Sequence, residues 1–241
     1  MTILAVNGVS RRFGGLQALS DVSFSVSRGQ IVGLIGPNGA GKTTFFNTLV
    51  GVVRPDRGSI LLEGTDVAGW KPHRVAARGM TKTFQNVALF GEATVLENVL
   101  TAGLLRYDVA GARALALSCL ERVGLAGAAD KRADDLSFPE RARVELARAL
   151  CTEPKVLLLD EVMAALNHVE MQEILTLIRS LRDQGLTLLI VEHHMKAIMA
   201  VCERILVLNF GRLIADGSPE DVANNPQVIE AYLGSSMEAA E

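Results

Sequence analysis

The alternation of apolar and polar positions is sharpest at Val22-Ser23-Phe24-Ser25-Val26-Ser27, where every second residue is hydrophobic. A period of two sends alternate side chains to opposite faces, so this stretch predicts a half-buried strand, closed by Arg28-Gly29. Ile3 to Val9 and Ser59 to Leu62 also read as strands, the latter punctuated by Pro55-Asp56-Arg57-Gly58 and Gly64. Together they predict an antiparallel β layer at the start of the chain. Two later runs, Val156 to Leu159 and Leu188 to Val191, are continuously apolar, as parallel strands covered on both faces are. Between them Met171, Ile174, Leu175, Ile178 and Leu181 recur at helical spacing, which completes a β–α–β unit. Ile205 to Leu208 and Arg212 to Ala215 flank a hairpin turn, Asn209-Phe210-Gly211. Two short helices close the chain, the first opening at the cap Ser218-Pro219-Glu220-Asp221.

Residues 93–151 differ in kind. They are rich in Ala, Leu, Arg and Glu, all strong helix formers, and Gly103, Gly111, Gly124 and Gly127 are expected to break them into short helices. The pattern predicts one α/β domain over residues 1–241, with a helical subdomain at 93–151 inserted between core segments 1–92 and 152–241. A chain of 241 residues suits one large domain, and 49% hydrophobic residues are ample for a core; only 5% are aromatic, so that core should be aliphatic. The net charge of −3 argues against nucleic acid as the main partner. Cys119, Cys151 and Cys202 are scattered, without metal-ligand spacing, and fit a reducing compartment. The start of the chain lacks the features of a signal peptide, and no apolar run approaches 18 residues, so membrane association is expected to come through a partner.

The chemistry concentrates after the strand-like run Ile31 to Ile35. Gly36-Pro37-Asn38-Gly39-Ala40-Gly41-Lys42-Thr43 fits G-x-x-x-x-G-K-[ST], the phosphate-binding P-loop, and Thr43 to Val50 is a plausible helix behind it. Glycines let backbone N–H groups converge on an anion, and the helix turns its positive end toward the phosphates. In such a loop Lys42 reaches the β- and γ-phosphates and the Thr43 hydroxyl ligates Mg²⁺. Asp160 ends a buried strand, where α/β sheets bind ligands, and suits a Mg²⁺-holding carboxylate. Glu161 follows it and is placed to polarise an attacking water. His193 ends the other buried strand; a contact with the γ-phosphate and a satisfied strand-end histidine are both compatible with its position. Gln85 after Thr83-Phe84 is a further candidate for orienting water or Mg²⁺.

In order and spacing these motifs resemble, from end to end, the ATP-binding subunit of ABC transporters. Gly36 to Thr43 matches the family's Walker A loop and Val156 to Glu161 its Walker B strand. Thr83-Phe84-Gln85 resembles the Q-loop and Val191-Glu192-His193 the switch-histidine segment. The resemblance implies a P-loop NTPase core with a mostly parallel sheet, and ATP and Mg²⁺ as ligands. It implies a phosphate site built from Asn38, Gly39, Ala40, Gly41, Lys42, Thr43 and Thr44, with Phe13 stacked on adenine. Catalysis would fall to Glu161, His193 and Gln85, and Mg²⁺ to Thr43, Gln85 and Asp160. Phe13-Gly14-Gly15-Leu16, Val191-Glu192-His193 with Met195, and Val228 to Gly234 are similar to the high-affinity branched-chain amino-acid importers. That subfamily implies a second ATP-binding subunit, two membrane permeases contacted near residues 86–92, a periplasmic binding protein, and a peripheral seat on the cytoplasmic face of the membrane. No Asn-Lys-x-Asp base-reading motif supports a GTPase, and 241 residues leave no room for the paired modules or coiled coil of a DNA-repair ATPase.

The chain departs from the family at two places. The signature Leu-Ser-Gly-Gly-Gln is Leu136-Ser137-Phe138-Pro139-Glu140 here, so a proline without an N–H and an acidic side chain replace anion donors. Ser137 and Glu140 should still cap a helix. Asn167 stands for the usual aspartate of the D-loop. Ser137, Pro139 and Asn167 are therefore expected to make a weakened contact with ATP on the partner subunit, leaving the two ATP sites unequal.

Overall fold

The strand periodicities resolve into two sheets. A computed structural model describes residues 1–84, 88–164 and 166–238, with side chains described through residue 232. The first sheet is antiparallel and holds β1 (Thr2–Phe13), β2 (Leu16–Ser27), β4 (Arg57–Leu62) and β5 (Thr65–Asp66), in the order β2-β1-β4-β5. Val22, Phe24 and Val26 are buried and the serines between them exposed. Both long strands extend further than their alternation predicts, because bulges in their pairing interrupt the period. Their hairpin turns at Gly14-Gly15, which leaves Phe13 at the tip.

The second sheet has the order β10-β9-β3-β8-β7-β6. β3 (Ile31–Ile35), β6 (Met80–Lys82), β7 (Val156–Asp160), β8 (Thr187–Val191) and β9 (Arg204–Asn209) run parallel, and β10 (Arg212–Gly217) is the antiparallel edge. Period two sorts its residues between two cores. Val32, Leu34, Leu158, Leu189, Val191 and Leu206 join the antiparallel sheet and the P-loop helix α1 (Lys42–Leu49), which adds Phe45, Phe46 and Leu49. Ile31, Leu157, Leu159, Ile190 and Val207 face the other way, against α6 (His168–Asp183), α7 (Met195–Val201) and the helices between β6 and β7.

Those intervening helices are α3 (Val95–Gly103), α4 (Val109–Arg122) and α5 (Phe138–Leu150); α2 (Pro72–Arg78), before β6, and β6 itself were not predicted. Gly111 does not break a helix. It lies in the first turn of α4, where its N–H donates to the N-cap Asp108 at 2.9 Å, a position at which glycine costs the helix little. Gly103 ends α3 and lets α4 close in, since a Cβ there would lie 3.0 Å from that of Ala112. α8 (Pro219–Ala223) and α9 (Pro226–Glu238) end the chain. The three cysteines are buried and free, and no helix among the described residues is long and apolar enough to cross a membrane.

Candidate functional site

The sheet order places the chemistry side by side. β3, β8, β7 and β6 are consecutive neighbours, and at their carboxyl ends stand the P-loop, His193, Asp160 with Glu161, and Thr83. The P-loop is folded tightly onto its surroundings. Gly41 has φ +101°, and a Cβ there would lie 2.6 Å from the carbonyl oxygen of Ala18, so neither the angle nor the space admits another residue. A Cβ at Gly39 would meet no protein atom; the loop is open on that side. Lys42 is 7% exposed, and its Nζ donates to the Gly36 carbonyl at 2.6 Å and the Pro37 carbonyl at 3.0 Å. Burial lowers its pKa, while Glu161 and Asp160 oppose that shift by favouring the charged form.

A cavity of about 500 Å³ opens over the loop. It is lined by Asn38 to Thr44, by Phe13, Leu16, Gln17 and Ala18 from the β1–β2 hairpin, by Glu161 and His193, and by Phe210. The predicted phosphate-loop residues, Phe13 and the Glu161–His193 pair thus share one space. Glu161 and His193 are 32 residues apart, but β7 and β8 pair in register, and Glu161 Oε1 lies 2.8 Å from His193 Nε2. Glu161 adopts a left-handed φ of +54°, which turns it away from Asp160.

Asp160 is 2% exposed and is not among the residues that line the cavity. Its Oδ2 meets Lys82 Nζ at 3.3 Å, and its backbone N–H donates to Thr83 Oγ1 at 3.1 Å. Burial raises its pKa, against the opposing pull of Lys82. Its Oδ1 is buried with no hydrogen-bond partner among the described residues, which leaves a hard-oxygen acceptor at the end of β7. Together with the exposed Thr43 hydroxyl at the head of α1, that free lobe fits Mg²⁺ brought in by a nucleotide. Gln85, the remaining predicted Mg²⁺ and water ligand, lies outside the described residues.

Ser137, Pro139 and Asn167 do not line this cavity. Ser137 donates through its N–H and Oγ to Glu140 Oε2 at 2.8 and 2.7 Å, the predicted capping pair, and Pro139 sits in the first turn of α5. Asn167 caps α6, its Oδ1 accepting from the N–H groups of Val169 and Glu170 at 2.9 and 3.0 Å.

Three residues of the site escaped the sequence reading. Lys82 sits on the short unpredicted strand β6. Phe210 is 78% exposed at the cavity rim, with a left-handed φ of +43°; the visible signal was an aromatic where a two-residue hairpin favours Asn or Gly. Glu192 is 2% exposed, and its Oε1 accepts the Met163 N–H at 2.6 Å. Burial pushes its carboxyl up to about 7. From the ordinary carboxyl value up to about 7 the folded chain keeps a proton that the unfolded chain has released, so this group favours folding at low pH and the advantage is lost as pH rises through 7. Glu192→Gln removes the titration. Between pH 5 and pH 8 the stability of the variant relative to the parent should move in its favour by about 2–3 kcal/mol. Thermal unfolding at the two values measures it, and a pH-independent difference would refute it.

The ABC transporter family model matches residues 19–164, and that of the Branched-chain amino acid ATP-binding cassette transporter matches residues 212–237. The chain is 44% identical to the High-affinity branched-chain amino acid transport ATP-binding protein LivG of Salmonella typhimurium, over 96% of this chain and 98% of that protein. Its structure is similar to the ADP conformation of MJ1267, an ATP-binding cassette of an ABC transporter (TM-score 0.89, 30% identity, 97% of this chain and 99% of that one). It is also similar to the dimeric post-hydrolysis state of the cassette MJ0796 bound to ADP and Pi (TM-score 0.79, 25% identity, 90% and 98%). The P-loop cavity, the strand-end carboxylates and these matches lead to one conclusion: the chain belongs to the ABC transporter family, as an ATP-binding cassette.

Proposed function

We propose that this chain binds and hydrolyses ATP as one of two ATP-binding subunits of a membrane importer for branched-chain or related amino acids. The observation that carries the hydrolytic reading is the 2.8 Å contact between Glu161 and His193 at the mouth of the P-loop cavity. The P-loop N–H groups and Lys42 bind the phosphates, and Phe13 packs on the adenine. Thr43 and Asp160, with Gln85, would hold Mg²⁺, which would neutralise developing phosphate charge. Glu161 accepts a proton from the attacking water as its oxygen bonds to the γ-phosphorus; the bond to the bridging oxygen breaks and ADP leaves. His193 holds Glu161 in place and lies toward the γ-phosphate.

The likeness to LivG and the match at residues 212–237 support branched-chain amino acids as the cargo. A second ATP-binding subunit, two permeases and a binding protein complete the assembly, with this chain on the cytoplasmic face. A cleft of about 420 Å³ between Thr81, Phe84, Ala88, Thr101 and Arg148 includes Ala88, from the described part of the segment 86–92, and suits the permease contact. Ser137, Pro139 and Asn167 face the partner's ATP; with the first two held in a capped, proline-bearing first turn, that site should turn over more slowly than this chain's own. ATPase activity of the complex reconstituted in vesicles should rise when the binding protein carries leucine, isoleucine or valine; no response to any amino acid would refute the importer reading.

Phe210 completes the base subsite. The β9–β10 turn is fixed to the P-loop, since Gly211 N donates to the Ala40 carbonyl at 2.9 Å. A left-handed phenylalanine costs on the order of 1–2 kcal/mol, and one so exposed gains little from burial in return. Phe210→Asn, which tolerates that φ, should raise stability by about 1 kcal/mol while weakening ATP binding about fivefold. Thermal unfolding with equilibrium nucleotide titration tests both, and unchanged affinity would remove Phe210 from the subsite.

A further inference from the structure

Glu192 lies buried between two segments that carry the proposed hydrolytic residues. Its Oε1 accepts the Met163 N–H at 2.6 Å, and its Oε2 lies 3.3 Å from the backbone N of His193, which donates to it. Met163 is two residues beyond Glu161 and fully buried. On the other side of the same turn, the Glu161 N–H donates to the Val191 carbonyl at 2.9 Å. The end of β8 therefore grips the turn after β7 at two points, one on each side of Val162. Between those points Glu161 is held at φ +54°, a sparsely populated conformation for a residue with a Cβ.

We propose that Glu192 is a positioning residue for ATP hydrolysis: its carboxyl group ties the turn bearing Glu161 to the strand end bearing His193 and so sets the 2.8 Å approach of those two side chains. A carboxyl oxygen accepts a backbone N–H whether or not the group is ionised, and such a bond is strengthened where water is excluded. No other acceptor for the Met163 N–H is found among the described residues, so loss of the carboxylate frees the turn. Displacements on the order of 1 Å at a reacting group lower rates about 10²-fold. The inference rests on the reading of Glu161 and His193 as the hydrolytic pair.

The test is steady-state ATPase of the reconstituted transporter, with the second ATP-binding subunit unaltered, for Glu192→Ala, Glu192→Asp and Glu192→Gln. Ala and Asp should lower kcat by about 10- to 100-fold while KM for ATP stays within about threefold, since the phosphate loop is untouched. Gln keeps an oxygen for Met163 and should restore kcat to within about fivefold of the parent. Thermal unfolding and nucleotide titration of each variant separate misplacement from loss of fold. Parental kcat in Glu192→Asp, which keeps the charge but shortens the reach, would overturn the proposal even if Glu192→Ala does not fold. So would loss of ATP affinity in step with kcat, or the absence of rescue by Gln. A parallel Glu161→Gln complex distinguishes the two levels: if it hydrolyses ATP normally, the hydrolytic reading itself fails; if it is inactive while Glu192→Asp is parental, only the role of Glu192 falls.

Discussion

Glu161→Gln should reduce ATP hydrolysis by this chain's site by about 10²- to 10⁴-fold while leaving nucleotide affinity almost unchanged, the range expected when a general base is removed. The substitution keeps the size of the side chain and an oxygen for His193 Nε2, so the 2.8 Å contact survives in one tautomer and only the proton acceptor is lost. Glu161 lines the cavity and stands at the start of the turn after β7, with a left-handed backbone. The measurement is phosphate release from the reconstituted transporter, with ATP binding followed separately. It also tests the inequality of the two sites. In the proposed pair, this chain would bring Lys42, Thr43, Asp160, Glu161 and His193 to its own P-loop, and to its partner a first turn containing Phe138, Pro139 and Glu140. The chain's own site should thus carry most of the turnover. Activity near the parent's, with abolition by the equivalent change in the partner, would reverse the assignment.

The parts of this site that are contiguous in the chain were readable from it. The P-loop is a local pattern, and β7 and β8 are five-residue runs buried along their whole length, so their hydrophobicity has no gaps. β6 was not readable because it spans only Met80–Lys82; it is a strand by virtue of pairing with Val156 to Leu158, a partner more than 70 residues away. The same holds inside the site. That Glu161 and His193 end strands was visible, but their contact follows from β7 lying next to β8. Glu192 reads locally as a charge at a strand end, where exposure is the ordinary fate; only the packing of the turn after β7 makes it a buried acceptor. Ser137-Glu140 and Asn167-Glu170 show the converse. Caps are decided within four residues, and the sequence at 137–140 sufficed to foresee the first.

Lys42→Ala should weaken ATP binding by about 10²- to 10³-fold, the equivalent of roughly 3–4 kcal/mol, and hydrolysis at subsaturating ATP with it. Three features of the site make this loss large. The ammonium group is buried, so its interaction with a phosphate is little screened by water. It is held by the Gly36 and Pro37 carbonyls at the base of the loop, so little freedom remains to be lost when nucleotide arrives. It also lies in the field of Glu161 and Asp160, both of which favour its charged form. Without it, a polyanionic ligand would enter a cavity whose nearest titratable groups include two carboxylates, and repulsion would add to the lost contact. Adding Mg²⁺ should recover part of the affinity in the variant, because a cation in the site proposed at Asp160 and Thr43 would offset some of that negative charge. Equilibrium titration of the isolated chain with ATP, with and without Mg²⁺, measures both effects. Affinity within threefold of the parent in Lys42→Ala would mean that the phosphates do not bind where Lys42 is, and would remove the nucleotide from this cavity.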